Sequence, residues 1–314
     1  MIFITFLMIM LSIIIAFNST SMFIYWLALE MNMYFFIPIM NKSMMKDSLK
    51  YFLVQAMGSI LFLFSLIMLK SMTIYIYILI LSLLLKMGMT PFLFWLIDIC
   101  FNLEWMSFLV LLTIQKILPF IILFTFMDLE MYGFYLLMLI IINILISGLG
   151  GINQHNVKIL LSYSSVSHLS WMFLACAYSF NLWVFYYIIY IMLFTMLMFT
   201  LKLMMTFKMP LIFHYKDFKY SLLIFILLSA LGGMPPFLGF MAKLMVIQVM
   251  LEQKYYLIMI IMSLMTLLVI FFYLSLFMES ALKQTLFKSM LRKLDLTLYF
   301  SVLVLIMFSL LYFV

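Results

Sequence analysis

Long apolar runs alternate along this chain with short polar interruptions. An α-helix needs about 20 mainly apolar residues to cross a bilayer. On that length the pattern predicts eleven spans, at 1–17, 22–40, 49–69, 72–89, 105–127, 131–149, 156–177, 181–206, 220–242, 256–278 and 296–314. Residues 91–101 are too few to span and read as the far half of a broken helix or a surface turn. Met1–Phe17 has no basic start and no small-residue cleavage site, so a retained first span is expected there, not a signal peptide. The fold class that follows is an all-α polytopic membrane protein, a single integral membrane domain over 1–314.

Two polar interruptions resemble each other. Leu81–Trp95 reads LSLLLKMGMTPFLFW and Ala230–Lys243 reads ALGGMPPFLGFMAK, so that Gly88 to Leu93 match Gly233 to Leu238 at an offset of 145 residues. Each carries glycine and proline (Gly88 and Pro91; Gly232, Gly233, Pro235 and Pro236), residues that free the backbone or remove a donor. Each also has a lysine nearby, Lys86 or Lys243. Broken apolar segments at corresponding places in two halves of a membrane chain point to a transport site built on an internal repeat. The alternative is a coincidence of six residues.

Composition sharpens the class. The chain is 69% apolar and 9% charged, with a mean hydropathy of +1.33, whereas a soluble domain carries about 25% charged residues. Its net charge of +7 reads as a topology signal, not as nucleic-acid binding. Twelve basic residues fall on the side of the N-terminus, two (Lys70 and Lys254) fall on the other, and three (Lys86, Lys116 and Lys243) lie within apolar runs. By the positive-inside rule the N-terminus is expected on the inner, positive side, which in a mitochondrion is the matrix, and the C-terminus on the opposite, intermembrane-space side. Met and Phe number 35 each and there is one arginine, Arg292. That usage favours A/T-rich codons and a code that reads an isoleucine codon as methionine, as in animal mitochondria. A membrane core that uses Met as gap filler is the plainer explanation. Cys100 and Cys176 have neither disulfide nor metal-ligand spacing and read as small apolar residues.

Four charges, Glu30, Lys86, Lys116 and Lys243, sit where the bilayer should be. A charge at a span centre costs about 3 kcal/mol on insertion scales, so such residues pair with one another or line a watery path. Near a span end the alternative is snorkelling to the interface. That is open to Lys86 and Lys243, but Lys116 lies eleven residues into its run, beside Gln115 and Pro119. Desolvation favours the uncharged forms of lysine and glutamate, and a neighbouring acid restores the ammonium. Making and breaking a Glu30–Lys86 pair would therefore load and release a proton. Lys158, Ser162, Ser165 and His168 fall on one helical face in KILLSYSSVSHLSW. They could hold a water wire, or simply bond neighbouring helices. His155 and His214 lie in loops and are assigned no role, and the sequence has no metal-ligand cluster, phosphate loop or nucleophile elbow.

In their order, WLALEMN, KYFLVQAMGS, LLLKMGMTPFLFW, LLTIQKILPF, KILLSYSSVSHLSWM and LSALGGMPPFLGFMAKL resemble the subunit 2 family of mitochondrial NADH dehydrogenase, antiporter-like membrane subunits of respiratory complex I. The resemblance covers about residues 20–245. It implies two inverted five-helix repeats with broken helices, the first about 1–127, the second about 131–295, and a C-terminal helix about 296–314. It also implies a proton relay through Glu30, Lys86, Lys116 and Lys243 in the mitochondrial inner membrane. No cofactor is expected on this chain, since NADH, FMN, iron–sulfur clusters and ubiquinone belong to other subunits. The partners expected are other membrane-arm subunits and membrane lipids, cardiolipin among them, and no nucleic acid. The chain departs from the family at Leu93, where relatives carry histidine, so Asp98 or water would serve in its place. It departs also at Val157, Ala242 and Leu244. A stand-alone cation/proton antiporter of the same fold and a spacer subunit without proton flux are the competing readings.

Overall fold

Inside a bilayer no water is at hand for backbone N–H and C=O groups, so an apolar run must satisfy them within itself, and helices do so. The computed structural model describes residues 2–19, 21–40, 45–68, 74–126, 129–152, 154, 156–204 and 218–283. Those residues form helices α1 (Ile2–Asn18), α2 (Met22–Met40), α3 (Met45–Met68), α4 (Ile74–Met87), α5 (Phe94–Asn102), α6 (Trp105–Leu112) and α7 (Ile114–Phe126), then α8 (Leu129–Gly150), α9 (Val157–Tyr178), α10 (Phe180–Met204), α11 (Phe218–Gly232), α12 (Leu238–Glu252) and α13 (Tyr256–Lys283). Serine hydroxyls within them donate to the carbonyl three residues back, as at Ser12, Ser65, Ser82 and Ser147, which removes a polar group from the apolar layer.

Among the described residues, 6 helices are long and apolar enough to cross a membrane, with α6 and α7 taken as one, and the apolar parts of α1, α4, α8 and α11 are shorter. The predicted span 296–314 lies outside the described residues, as do loop residues such as Lys70, His155 and His214. Residues 91–101 become mostly α5, the far half of a helix broken after α4. The predicted span 220–242 stops at Gly232 and resumes at Leu238, then runs on to Glu252.

One interruption was not foreseen. The run 105–127 breaks at Thr113, whose backbone leaves helical geometry while its Oγ1 donates to the Leu109 carbonyl at 2.6 Å. Six residues later Pro119 lies inside α7. It has no N–H for the Gln115 carbonyl, and its ring crowds that carbonyl. Backbone freedom is thus concentrated on either side of Gln115 and Lys116.

Two compact units divide the chain between Asn143 and Ile144, so α8 contributes to both. In the first, α3 packs on α2, α4 and α5, while α7 packs on α1, α2, α4 and α6. In the second, α10 packs on α9, α11 and α12, and α13 packs on α11 and α12. Helix α3 shows the sorting most clearly. Asp47, Tyr51, Gln55 and Ser59 recur every four residues on its buried face, and Leu49, Leu53, Met57, Ile60, Phe64 and Ile67 are exposed. Polar groups face the protein and large apolar groups face outward, as lipid requires.

Candidate functional site

Helix α4 ends because Gly88 takes φ +70°, a left-handed conformation that glycine adopts without penalty. The Met89 N–H then bonds the Leu84 carbonyl at 3.0 Å and the Gly88 N–H bonds Leu85 at 3.2 Å, the paired closure of a Schellman end. A Cβ on Gly88 would meet Leu96 at 2.5 Å, so glycine also lets α5 pack against the break. Two side chains add bonds to carbonyls of this helix end. Trp95 Nε1 donates to Leu85 at 3.1 Å and Gln55 Nε2 donates to Lys86 at 3.0 Å. Just beyond, the Thr90 N–H donates to Asn143 Oδ1 at 3.0 Å. The break is therefore a well-bonded element of the first unit and fixes where Lys86 stands.

Lys86 is 7% exposed, and its Nζ is buried with no hydrogen-bond partner among the described residues. Its stem lies against Gly58 of α3, where a Cβ would come within 2.9 Å of Lys86 Cγ. The charge of half-buried Glu30 acts on it, although carboxylate and ammonium form no direct ion pair. Nearby, the Tyr51 hydroxyl donates to Gln115 Oε1 at 3.2 Å, and Gln115 Nε2 reaches the Asn32 carbonyl of α2 at 3.5 Å. Lys116, the next residue, is 2% exposed. The first unit thus places Glu30 of α2 where its charge reaches Lys86 of α4, and ties Gln115, next to Lys116 in α7, to α2 and α3.

The second break repeats three backbone bonds of the first, including that of Phe92 N–H to the Met89 carbonyl at 2.8 Å. Gly233 takes φ +84°, its N–H bonds the Ala230 carbonyl at 3.2 Å, Met234 bonds Ser229 at 3.1 Å and Phe237 bonds Met234 at 3.0 Å. Each of these residues stands 145 positions after its counterpart in the first break. The Thr90–Pro91 and Pro235–Pro236 peptides, also 145 apart, are both cis. The lysines do not follow the repeat. Lys86 precedes its break by two residues, Lys243 follows Gly233 by ten, and the offset pairs Lys243 with Asp98 and Lys86 with Leu231. Lys243 is 5% exposed, and its Nζ donates back across the break to the Gly232 carbonyl at 2.6 Å, where the α11 dipole favours a cation. A Cβ on Gly233 would stand 2.8 Å from that Nζ, and one on Gly239 would strike the Ala230 carbonyl. Both glycines are needed for α12 to return so closely over the end of α11.

Helix α9 buries Lys158, Ser162, Ser165 and His168 together. The hydroxyl protons of the two serines are committed to the Ile159 and Ser162 carbonyls, at 2.6 Å and 2.7 Å. Each oxygen can still accept a bond. His168 Nδ1 lies 2.9 Å from the Tyr186 hydroxyl of α10 and stacks obliquely beside Tyr190. Leu93 is buried, while Asp98, the expected stand-in for a histidine there, points outward and pairs loosely with Lys50 at 3.7 Å.

Tyr51, Gln55, Gly58, Asn143 and Tyr186 were not singled out from the sequence. The four-residue recurrence at 47, 51, 55 and 59 could have signalled a polar face on α3. The roles of Asn143 and Tyr186 depend on tertiary contacts.

Residues 69–269 match the sequence model of the family described as the NADH:quinone oxidoreductase/Mrp antiporter transmembrane family. The NADH-ubiquinone oxidoreductase chain 2 of Anopheles gambiae is 38% identical over 285 residues, which cover 84% of this chain and 81% of that protein. A chain of the respiratory complex I of Thermus thermophilus has the same fold, with a TM-score of 0.84 at 19% identity over 99% of this chain and 78% of that one. A chain of the membrane-bound sulfane sulfur reductase, an archaeal respiratory membrane complex, superposes with a TM-score of 0.80 at 16% identity, covering 98% of this chain and 72% of that one.

Proposed function

Because the chain belongs to the NADH-ubiquinone oxidoreductase chain 2 family of antiporter-like membrane subunits, we propose that it works in the mitochondrial inner membrane as a proton-translocating subunit of the membrane arm of NADH:ubiquinone oxidoreductase. Its immediate partners in this reading are the neighbouring membrane-arm subunits and lipid. Redox chemistry belongs to other subunits, and this chain contributes proton-carrying side chains.

The observation that carries the reading is the burial of Lys86, Lys116 and Lys243 at helix interruptions of a membrane protein. Apolar helices do not keep charges at such depth unless the charge is used or paired. Lys86 is held by its backbone and its stem, and its ammonium has no fixed ligand among the described residues. A proton on that nitrogen is therefore governed by the charge of Glu30 and by any water that reaches it. When Glu30 is ionised the ammonium is favoured. When Glu30 is neutral or turned away, the proton is released. Lys243 differs, since its ammonium already holds a carbonyl of the break and must let go of it to transfer a proton.

The test is Glu30→Gln in the assembled complex, which keeps size and polarity and deletes the switching charge. The ratio of protons pumped per two electrons (H+/2e−) is expected to fall while assembly persists. An unchanged ratio would leave the chain as a spacer, the competing reading.

A further inference from the structure

Helix α3 carries a buried carboxylate that the relay above does not use. Asp47 is 3% exposed, in the first turn of α3. Its Oδ1 accepts a hydrogen bond from Asn102 Nδ2, at the end of α5, at 3.3 Å, and its Oδ2 is buried without a hydrogen-bond partner among the described residues. The nearest turns of the same helices hold the exposed pair of Lys50 and Asp98, charges that the apolar layer disfavours and an aqueous interface accepts. Four residues further on, Tyr51 donates to Gln115, the neighbour of Lys116. Four residues beyond that, Gln55 donates to the backbone of Lys86, whose stem rests on Gly58. Each four-residue step advances about 6 Å along a helix. One face of α3 therefore leads from a buried acid beside an exposed charge pair to Gln115, the neighbour of Lys116, and to Lys86.

An acid in a first turn often serves only the helix dipole. That role is met on the surface and gives no reason to bury the carboxylate or to leave one oxygen without a donor, which is unfavourable for an ionised group. An oxygen that takes up a proton has a reason to lack a fixed donor.

Resting on the function proposed above, we infer that Asp47 is the proton-uptake group of the first unit and feeds Lys86 along the Tyr51–Gln55 face of α3. Hydronium gives its proton to Asp47 Oδ2 and leaves as water. The carboxylic acid then loses that proton through water hydrogen-bonded along Tyr51 and Gln55, and the Lys86 amine gains one. Asp47 returns to carboxylate and Lys86 becomes ammonium. Only O–H and N–H bonds form or break.

The experiment measures H+/2e− for the assembled complex carrying Asp47→Asn, Asp47→Glu, Lys86→Met, or Asp47→Asn together with Lys86→Met. Asp47→Asn and the double variant are expected to fall to the ratio of Lys86→Met, because groups on one path do not add. Asp47→Glu, which keeps the acid, is expected to restore most of the native ratio. A native ratio in Asp47→Asn beside a reduced one in Lys86→Met overturns the role of Asp47 alone. A native ratio in Lys86→Met overturns the lysine route and this inference with it. Should Asp47→Asn not assemble, the native complex can be treated with an apolar carbodiimide, which adds to protonated carboxyl groups. Modification of Asp47 in step with lost pumping supports the role, and an unmodified Asp47 after pumping is lost overturns it.

Discussion

Replacing Gly233 by alanine should loosen the second break and displace the ammonium of Lys243. At φ +84° an L side chain is strained, by about 1–2 kcal/mol in the left-handed region. The new methyl group would also stand 2.8 Å from Lys243 Nζ, 3.0 Å from its Cδ and 3.1 Å from its Cε. The lysine must then move and give up its 2.6 Å bond to the Gly232 carbonyl. A hydrogen bond made by a charged group contributes about 1.5–3 kcal/mol, so the two effects together come to roughly 2.5–5 kcal/mol. The control is Gly148→Ala in α8, where a Cβ finds Met265 Sδ at an ordinary 3.5 Å and a helical alanine gains about 0.5–1 kcal/mol over glycine. The assay is the amount of assembled complex on native electrophoresis together with its H+/2e− ratio. Gly233→Ala should lower both or, if assembly holds, the ratio. Gly148→Ala should lower neither. Native assembly and a native ratio in Gly233→Ala would refute the argument that Lys243 is positioned across the break.

Three further outcomes are expected. Gly58→Ala puts a methyl group 2.9 Å from Lys86 Cγ, so it should reduce H+/2e− by shifting the lysine, whereas an unchanged ratio would show that the stem has room. Gln55→Leu removes the donor to the Lys86 carbonyl and should destabilise the first break by about 1–3 kcal/mol, read as faster loss of assembled complex on mild heating. Asp98→Asn breaks only an exposed pair at 3.7 Å, with side chains 55% and 64% accessible. Such pairs contribute about 0–1 kcal/mol, so assembly and pumping should stay native, and a reduced ratio would assign Asp98 the role of the histidine absent at Leu93.

How much of this was legible in the sequence depended on where the information resides. Gly88, Pro91, Gly233 and Pro236 act through their own backbones, so both breaks could be read from residue type and from their shared offset. The depth of Lys116 followed from the length of the run around it. The interruption at Thr113 did not, because the residue that disfavours a straight helix, Pro119, lies in the following turn and Thr113 itself carries no strong signal. The partner of Lys243 is a main-chain carbonyl, which every residue possesses, so its choice was invisible until α12 was seen to fold back over α11. For Lys86 the sequence pointed to an acidic partner. The structure leaves Glu30 acting at a distance and gives the local restraint to Gln55 and Gly58, neither of which carries a charge.

The claim that the buried lysines carry protons is tested most directly at Lys116. It is 2% exposed, lies beside the interruption at Thr113, and adjoins the Gln115 contact with Tyr51. Lys116→Met keeps the bulk and removes the proton site, and volume-conserving changes of this kind cost under about 1.5 kcal/mol. With the complex reconstituted in vesicles and electron transfer matched between samples, the measurement is H+/2e− for native, Lys116→Met and the exposed-site control Lys46→Met. The expected result is a reduced ratio in Lys116→Met alone, at native assembly. A native ratio in the assembled Lys116→Met complex would contradict the account and leave Lys116 a structural cation.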